Sequence, residues 1–273
     1  MIKPVVILLD FDGTIVGDVE WLVHERNLLQ MMQFKYNSTT QIIRDLSKGL
    51  IRPHFKYFIT EVKRRFPFVE FFIYTASEKK WAEFIIPKVE RALGLKFNRP
   101  IFTRNQCILT NGHYSKRLNV VKPIIQKKLA LKYGTTDCQS MILIDNTPMV
   151  LNEYQQQVTC PSYDYAYPLN ILRNFPETFS IERTCDYLGR IYSEFRFKKP
   201  IKNSQRFWSE YYEFMATKYK KAYKHNKARV YLKDMYWKTF TDALSKMNLS
   251  TMNSYELKDA CQNIQHGRND HLL

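Results

Sequence analysis

The stretch Pro4-Val5-Val6-Ile7-Leu8-Leu9-Asp10-Phe11-Asp12-Gly13-Thr14 decides how this 273-residue chain is to be read. Pro4 to Leu9 is a short apolar run of strand length, rich in β-branched residues. Two carboxylates follow, one residue apart, and Gly13 then turns the chain away. In an open α/β sheet, ligands bind at the carboxyl ends of the strands. Residues i and i+2 of an extended chain point to the same side, so Asp10 and Asp12 are placed to converge on one substrate or ion. Two acids this close repel unless a cation or proton lies between them. A hard ion such as Mg2+ suits the position, because it takes oxygen ligands and bridges carboxylate to phosphate. The alternative is a strand followed by an Asp-Gly turn, and the rest of the chain has to decide between the two.

DFDGT after an apolar strand resembles the first motif of the haloacid dehalogenase (HAD) superfamily of aspartate-nucleophile phosphotransferases. That resemblance implies further landmarks in a fixed order, and they are present. Arg52-Pro53-His54 opens a segment with Phe55, Phe58, Ile59 and Val62 at helical spacing. Phe68 to Tyr74 (FVEFFIY) then reads as a strand ending at Thr75-Ala76-Ser77. A hydroxyl at such a tip, with backbone N–H groups of the following turn, can hold phosphoryl oxygens. Lys80-Trp81-Ala82 leads a helix predicted over Glu78 to Leu93, with Gly94 as its stop. Short strands around Ile101-Phe102, Cys107 to Leu109 and Tyr114 are joined by the turn Asn111-Gly112. Lys116 follows, with Lys122 a competitor in the same stretch for a cation that neutralises a phosphoryl group. A helix is predicted over Ile124 to Tyr133, ended by Gly134. Met141 to Ile144 is a third short buried strand, running into Asp145-Asn146-Thr147-Pro148.

The "RP" helix, the YTAS strand end, the aromatic-Ala pair and DNTP resemble one branch of the superfamily. These are the RNA polymerase II C-terminal-domain phosphatases and their small, NLI-interacting-factor-like relatives. One departure is Gly13, where those phosphatases usually carry Glu. The resemblance implies a Rossmann-like α/β core with a parallel sheet over residues 1–195. Residues 15–50 form a small helical, cap-like insertion after the first strand. It implies Asp10 as nucleophile and Asp12 as general acid and base. Thr75, Ala76 and Lys116 would bind the substrate phosphate, Mg2+ would be held by Asp10, Asp12 and Asp145, and Asn146 would support the metal shell. The implied activity is hydrolysis of phosphoserine or phosphothreonine in proteins. A polynucleotide or nucleotide phosphatase is the second enzyme reading, and an idle HAD fold that binds nucleic acid is the third.

Composition bounds the partners. Hydrophobic residues make up 45% of the chain and aromatics 15%, ample for a packed core. No apolar run approaches the roughly 18–20 residues needed to span a membrane. PVVILL is too short, and too soon followed by acids, for a secretory signal. Five scattered cysteines without a CxxC pair read as reduced thiols, so the expected setting is intracellular, with no membrane partner. The formal net charge of +16 draws the chain to polyanions: nucleic acid or a phosphorylated protein. Residues 196–273 form a basic, mainly helical C-terminal extension by this reading. Between Arg196 and Lys246, fourteen Lys and Arg face four Asp and Glu, with aromatics interleaved. Lys220, Lys221, Lys224 and Arg229 are candidate nucleic-acid contacts. The competing reading lays the aromatics on the catalytic domain and leaves the lysines in water.

Overall fold

The computed structural model describes residues 3–19, 38–110, 112–148, 156–165, 206, 210 and 230–266. The first strand, β1 (Val5–Leu9), is flanked by β2 (Val69–Ile73) on one side and β5 (Ser140–Asp145) on the other. A further strand, β6 (Gln157–Thr159), extends the sheet in the order β2-β1-β5-β6, with every pairing parallel. From β1 the chain first crosses to β2 and then returns to the opposite side of β1 as β5. The order therefore reverses beside β1, and the crevice at such a reversal is where parallel sheets bind ligands. In register, Leu9 pairs with Ile73 and with Ile144. The ends of three strands thus carry Asp10, Tyr74-Thr75 and Asp145 to the same level of the sheet.

Parallel strands covered on both faces need apolar side chains on both, and β1, β2 and β5 are buried throughout. Alternation assigns the faces. Val6, Leu8, Phe72, Tyr74, Met141 and Leu143 pack with Leu118, Val121, Ile125 and Leu129 of a long helix, α4 (Leu118–Tyr133). Phe71, of opposite parity, meets Phe58 of α2 (Phe55–Arg65) edge to face, with centroids 5.4 Å apart. A third helix, α3 (Lys79–Leu93), follows β2 and ends at Gly94, whose φ of 66° forms the left-handed stop. Segment 98–102 runs along the outer edge of β2, with Phe102 N–H donating to Ile73 O. The short hairpin β3 (Ile108–Thr110) and β4 (His113–Ser115) then leads into α4.

Two helices from the C-terminal region complete this unit. In α5 (Tyr236–Leu244), Trp237 stacks on Phe58 at 4.5 Å and meets Phe55 at 5.2 Å. Trp237 and Phe240 are fully buried. The following α6 (Ser254–His266) lies against β5 and β6, where Ser254 Oγ accepts the Met141 N–H and Gln262 Oε1 accepts the Thr159 N–H. The chain divides into one unit of Met1–Gly17, Ile51–Tyr163 and Leu232–Leu273, and another of Asp18–Leu50 and Asp164–Tyr231. The boundary expected between 195 and 196 lies outside the described residues. The aromatics of 236–240 belong to the sheet-bearing unit because burying their rings on α2 outweighs leaving them in water.

In the second unit, α1 (Ser38–Asp45) is the short helix expected within 15–50 and runs into a turn over Leu46–Leu50. Gly49 turns there at φ 106°, with the Tyr231 and Tyr165 rings against its Cα. Tyr165 O–H donates to Lys48 O, and its ring lies 4.6 Å from that of Tyr231. The amphipathic pattern from Val19 to Phe34 lies almost wholly outside the described residues. So do Lys220, Lys221, Lys224, Arg229 and the helix expected over Thr184 to Tyr192. Among the described residues no helix is long and apolar enough to cross a membrane.

Candidate active site

Asp10 continues β1 by donating its N–H to Ile144 O, which seats its carboxyl beside Asp145 on the neighbouring strand. Lys116, delivered by the end of β4, closes the arrangement. Its Nζ lies 2.5 Å from Asp10 Oδ1 and 2.6 Å from Asp145 Oδ2, with its side chain completely buried. Burial works against the Lys116 ammonium, but the two carboxylates outweigh it and hold its pKa above the usual lysine range. The competitor, Lys122, is exposed on α4. Tyr74 fixes the approach of Lys116: its hydroxyl donates to Gln106 O at 2.7 Å and accepts the Arg117 N–H at 3.1 Å. Burial pushes the Tyr74 phenol far up, so it stays neutral.

Asp12, two residues on, faces the end of β2. Its Oδ2 accepts the Ser77 hydroxyl at 2.6 Å and lies 3.5 Å from the Thr75 hydroxyl. Thr75 is buried and its Oγ1 accepts the Ser77 N–H at 3.0 Å. Ala76 lies between them on the half-buried turn, its carbonyl accepting from Arg104 Nε. Ser77 was not among the expected site residues. The signal was present in YTAS, where Thr and Ser two residues apart repeat the spacing of the two aspartates. Thr14 is a second omission. Its buried hydroxyl accepts the Asn146 N–H at 3.1 Å and donates to Asn146 Oδ1 at 3.2 Å, so it ties the first loop to the end of β5.

Gly13 explains its own departure from the expected Glu. It takes φ 77°, and a Cβ there would stand 2.6 Å from Asn146 Nδ2. A side chain is excluded by conformation and by space, so the Asn146 amide can press against the loop.

The expected metal ligands are Asp10, Asp12 and Asp145. Among the described residues, no three His, Cys, Asp or Glu side chains gather so as to hold an ion. Asp145 Oδ2 accepts from Lys116, and Oδ1 accepts the Thr147 N–H at 2.8 Å. Asp145 therefore anchors the lysine. Oxygen donors remain at Asp10, Asp12 and the Asn146 amide, all on two adjoining loops. Three carboxylates against one ammonium leave an excess of two negative charges, which one divalent cation balances. Mg2+ commonly takes only one or two carboxylates and keeps several waters, so the donor set fits. The electrostatics agree: burial, with a contribution from Asp145, pushes Asp10 up to about 7 despite the opposing pull of Lys116.

Nuclear envelope morphology protein 1 of Saccharomyces cerevisiae is 26% identical over 146 residues, 52% of this chain and 31% of that protein. The chain thus spans about a third of that relative's length. Among solved structures, fission yeast RNA polymerase II CTD phosphatase Fcp1 bound to beryllium fluoride aligns with 98% of this chain and 65% of its own. The identity is 16% and the TM-score 0.38. The HAD domain of effector protein Lem4 from Legionella pneumophila aligns over 78% of this chain and 95% of its own, at 15% identity and a TM-score of 0.27. Residues 5–170, more than half the chain, match the NLI interacting factor-like phosphatase family. The match covers β1 to β6 and every residue of the site above, and the chain belongs to that family.

Proposed function

We propose that this chain is a Mg2+-dependent phosphomonoester hydrolase working through an aspartyl-phosphate, with phosphoserine or phosphothreonine in proteins as substrate. The observation that carries the reading is the buried Lys116 held between Asp10 and Asp145, with Asp12 two residues beyond the nucleophile. Lys116 holds Asp10 Oδ1 and favours its ionised form, which leaves Oδ2 to attack phosphorus in line. As the P–O bond to the leaving group breaks, Asp12 donates a proton to the departing oxygen. The Ser77 and Thr75 hydroxyls orient Asp12 for this transfer, and Thr75 with the turn N–H groups around Ala76 receives phosphoryl oxygens. Water then attacks the phosphorus of the acyl phosphate while Asp12 takes its proton; inorganic phosphate leaves and Asp10 is restored. Asp10, Asp12 and Asn146 would hold Mg2+, which would supply charge neutralisation for the transferred group.

Family membership and the YTAS and DNTP wording support a protein substrate. The +16 charge favours, as a second reading, a polynucleotide or nucleotide phosphatase. The test is phosphate release from p-nitrophenyl phosphate, a phosphoserine peptide and a 3′-phosphorylated oligonucleotide, each with Mg2+ or EDTA, wild type beside Asp10→Asn. Metal-dependent release lost in the variant supports the enzyme, and the preferred substrate selects between the readings. Release from none, with salt-dependent nucleic-acid binding, would leave the idle binding fold.

A further inference from the structure

Arg52 lies just before α2, 38 residues after Thr14 and 93 before Asp145 in sequence, yet its side chain is only 2% exposed. An arginine buried to that degree must have every direction of its fork satisfied. Nε donates to Asp234 Oδ2 at 3.0 Å, and Nη1 donates to Pro161 O at 2.8 Å. The guanidinium lies 4.6 Å from the Tyr236 ring centroid and 5.4 Å from that of Tyr163. Asp234 also accepts the Tyr236 N–H on Oδ1 at 3.0 Å, so the acid that grips Arg52 is itself fixed at the start of α5.

The segment that Arg52 holds, Pro161-Ser162-Tyr163, touches both metal-side loops. Tyr163 N–H donates to Gly13 O at 2.8 Å, and Asn146 Nδ2 donates to Ser162 Oγ at 3.3 Å. The Arg52 N–H itself donates to Ile15 O at 2.8 Å, just past the DFDGT loop. A continuous path therefore runs from α5 through Asp234, Arg52 and 161–163 to the carbonyl of Gly13 and the amide of Asn146.

We infer that Arg52 and Asp234 are positioning residues for the Mg2+ site, so that the C-terminal helix is a working part of the catalytic apparatus. The inference rests on the metal-dependent reading above. With Gly13 bare, the Asn146 amide is held by Thr14 on one side and Ser162 on the other. Loss of the Arg52 fork releases 161–163, and with it one of those two supports. Lysine cannot replace arginine here, since one ammonium cannot make the two bonds at the fork's spacing and lie against two rings.

The experiment is calorimetric titration of MgCl2 into the full chain for wild type, Arg52→Lys, Asp234→Asn and Arg99→Lys. Arg99 is the control because its ion pair with Glu90, at 2.7 Å, is remote in sequence from these loops and shares none of the path. Circular dichroism confirms that each variant is folded, and Asp234→Asn, nearly isosteric, serves if Arg52→Lys does not fold. We expect Mg2+ to bind roughly 10-fold or more weakly in Arg52→Lys and Asp234→Asn, with Arg99→Lys like wild type. In turnover assays the same variants should recover much of their kcat at high Mg2+ at a temperature where circular dichroism shows them fully folded without the metal, so that the rescue is not refolding by the ligand. Folded Arg52→Lys and Asp234→Asn with wild-type Mg2+ affinity would overturn the brace and leave the phosphatase reading standing. A wild-type chain that takes up no Mg2+ would remove both.

Discussion

At the scale of single residues, the site is an exercise in balancing buried charge. Asp10→Asn should abolish turnover; appreciable residual phosphate release would remove Asp10 as nucleophile. Lys116→Met should lower kcat by about 100-fold or more, because in the proposed mechanism the ammonium both holds the nucleophile and would face the transferred phosphoryl group. Ser77→Ala should cost about 10-fold in kcat with the fold intact, since Asp12 loses its shorter hydroxyl contact and with it a fixed orientation. The metal-free chain should also carry a pH signature. Burial raises Asp10 from 3.8 to about 7, so between those values the folded chain binds more protons than the unfolded one. The contribution of this group to stability is then full below 3.8 and is lost as pH rises through 7. Thermal melts in EDTA from pH 4 to 8 read this, and Asp10→Asn should flatten that part of the profile. Mg2+ binding competes with the same proton and should strengthen toward and above pH 7.

At the scale of elements, the helices are secured by a few buried contacts that differ in kind. Glu70 on β2 is buried and accepts from Lys132 Nζ at 2.6 Å, Asn98 Nδ2 at 2.6 Å, Lys63 Nζ at 3.2 Å and the Tyr133 hydroxyl. It joins α2, α4 and the 98–102 edge to one strand. Burial pushes its carboxyl up, but the hydrogen bonds and cations outweigh burial and hold it below 4.5. Its contribution is therefore present above pH 4.5 and lost as pH falls through the lower folded value. Glu70→Gln should cost about 1–3 kcal/mol at neutral pH and remove that part of the acid sensitivity, as denaturant titrations at pH 7 and pH 4 would show. The contact of α5 with α2 is apolar instead. Trp237→Ala should cost about 3–5 kcal/mol with little change across that pH range. A loss below about 1 kcal/mol would mean that α5 contributes little to the unit.

At the scale of the whole molecule, the C-terminal helices belong to the sheet-bearing unit. The helices from Tyr236 onward close over α2, β5 and β6, so the rings of Tyr236, Trp237 and Phe240 are committed to the core and are not a stacking surface for bases. A chain ended before Leu232 should expose Phe55 and Phe58 and aggregate. Recovery of a soluble, Mg2+-binding fragment of that length would contradict both the packing and the brace.

The landmarks were legible in the sequence because each is local. Strand ends bearing Asp10, Thr75 and Asp145 are set by apolar runs of five or six residues and a turn, and Gly94 and Gly134 stop their helices by backbone conformation alone. Tertiary structure decided the rest, since it depends on what meets across the sheet. Lys116 prevails over Lys122 because only the former reaches the ends of β1 and β5. Asp145 becomes the lysine's anchor because both of its oxygens are already engaged. β6 was not anticipated, since three residues carry too little periodicity to announce a strand. Arg52 and Asp234, 182 positions apart, acquire a role only when folding buries one beside the other. No local pattern encodes that pairing.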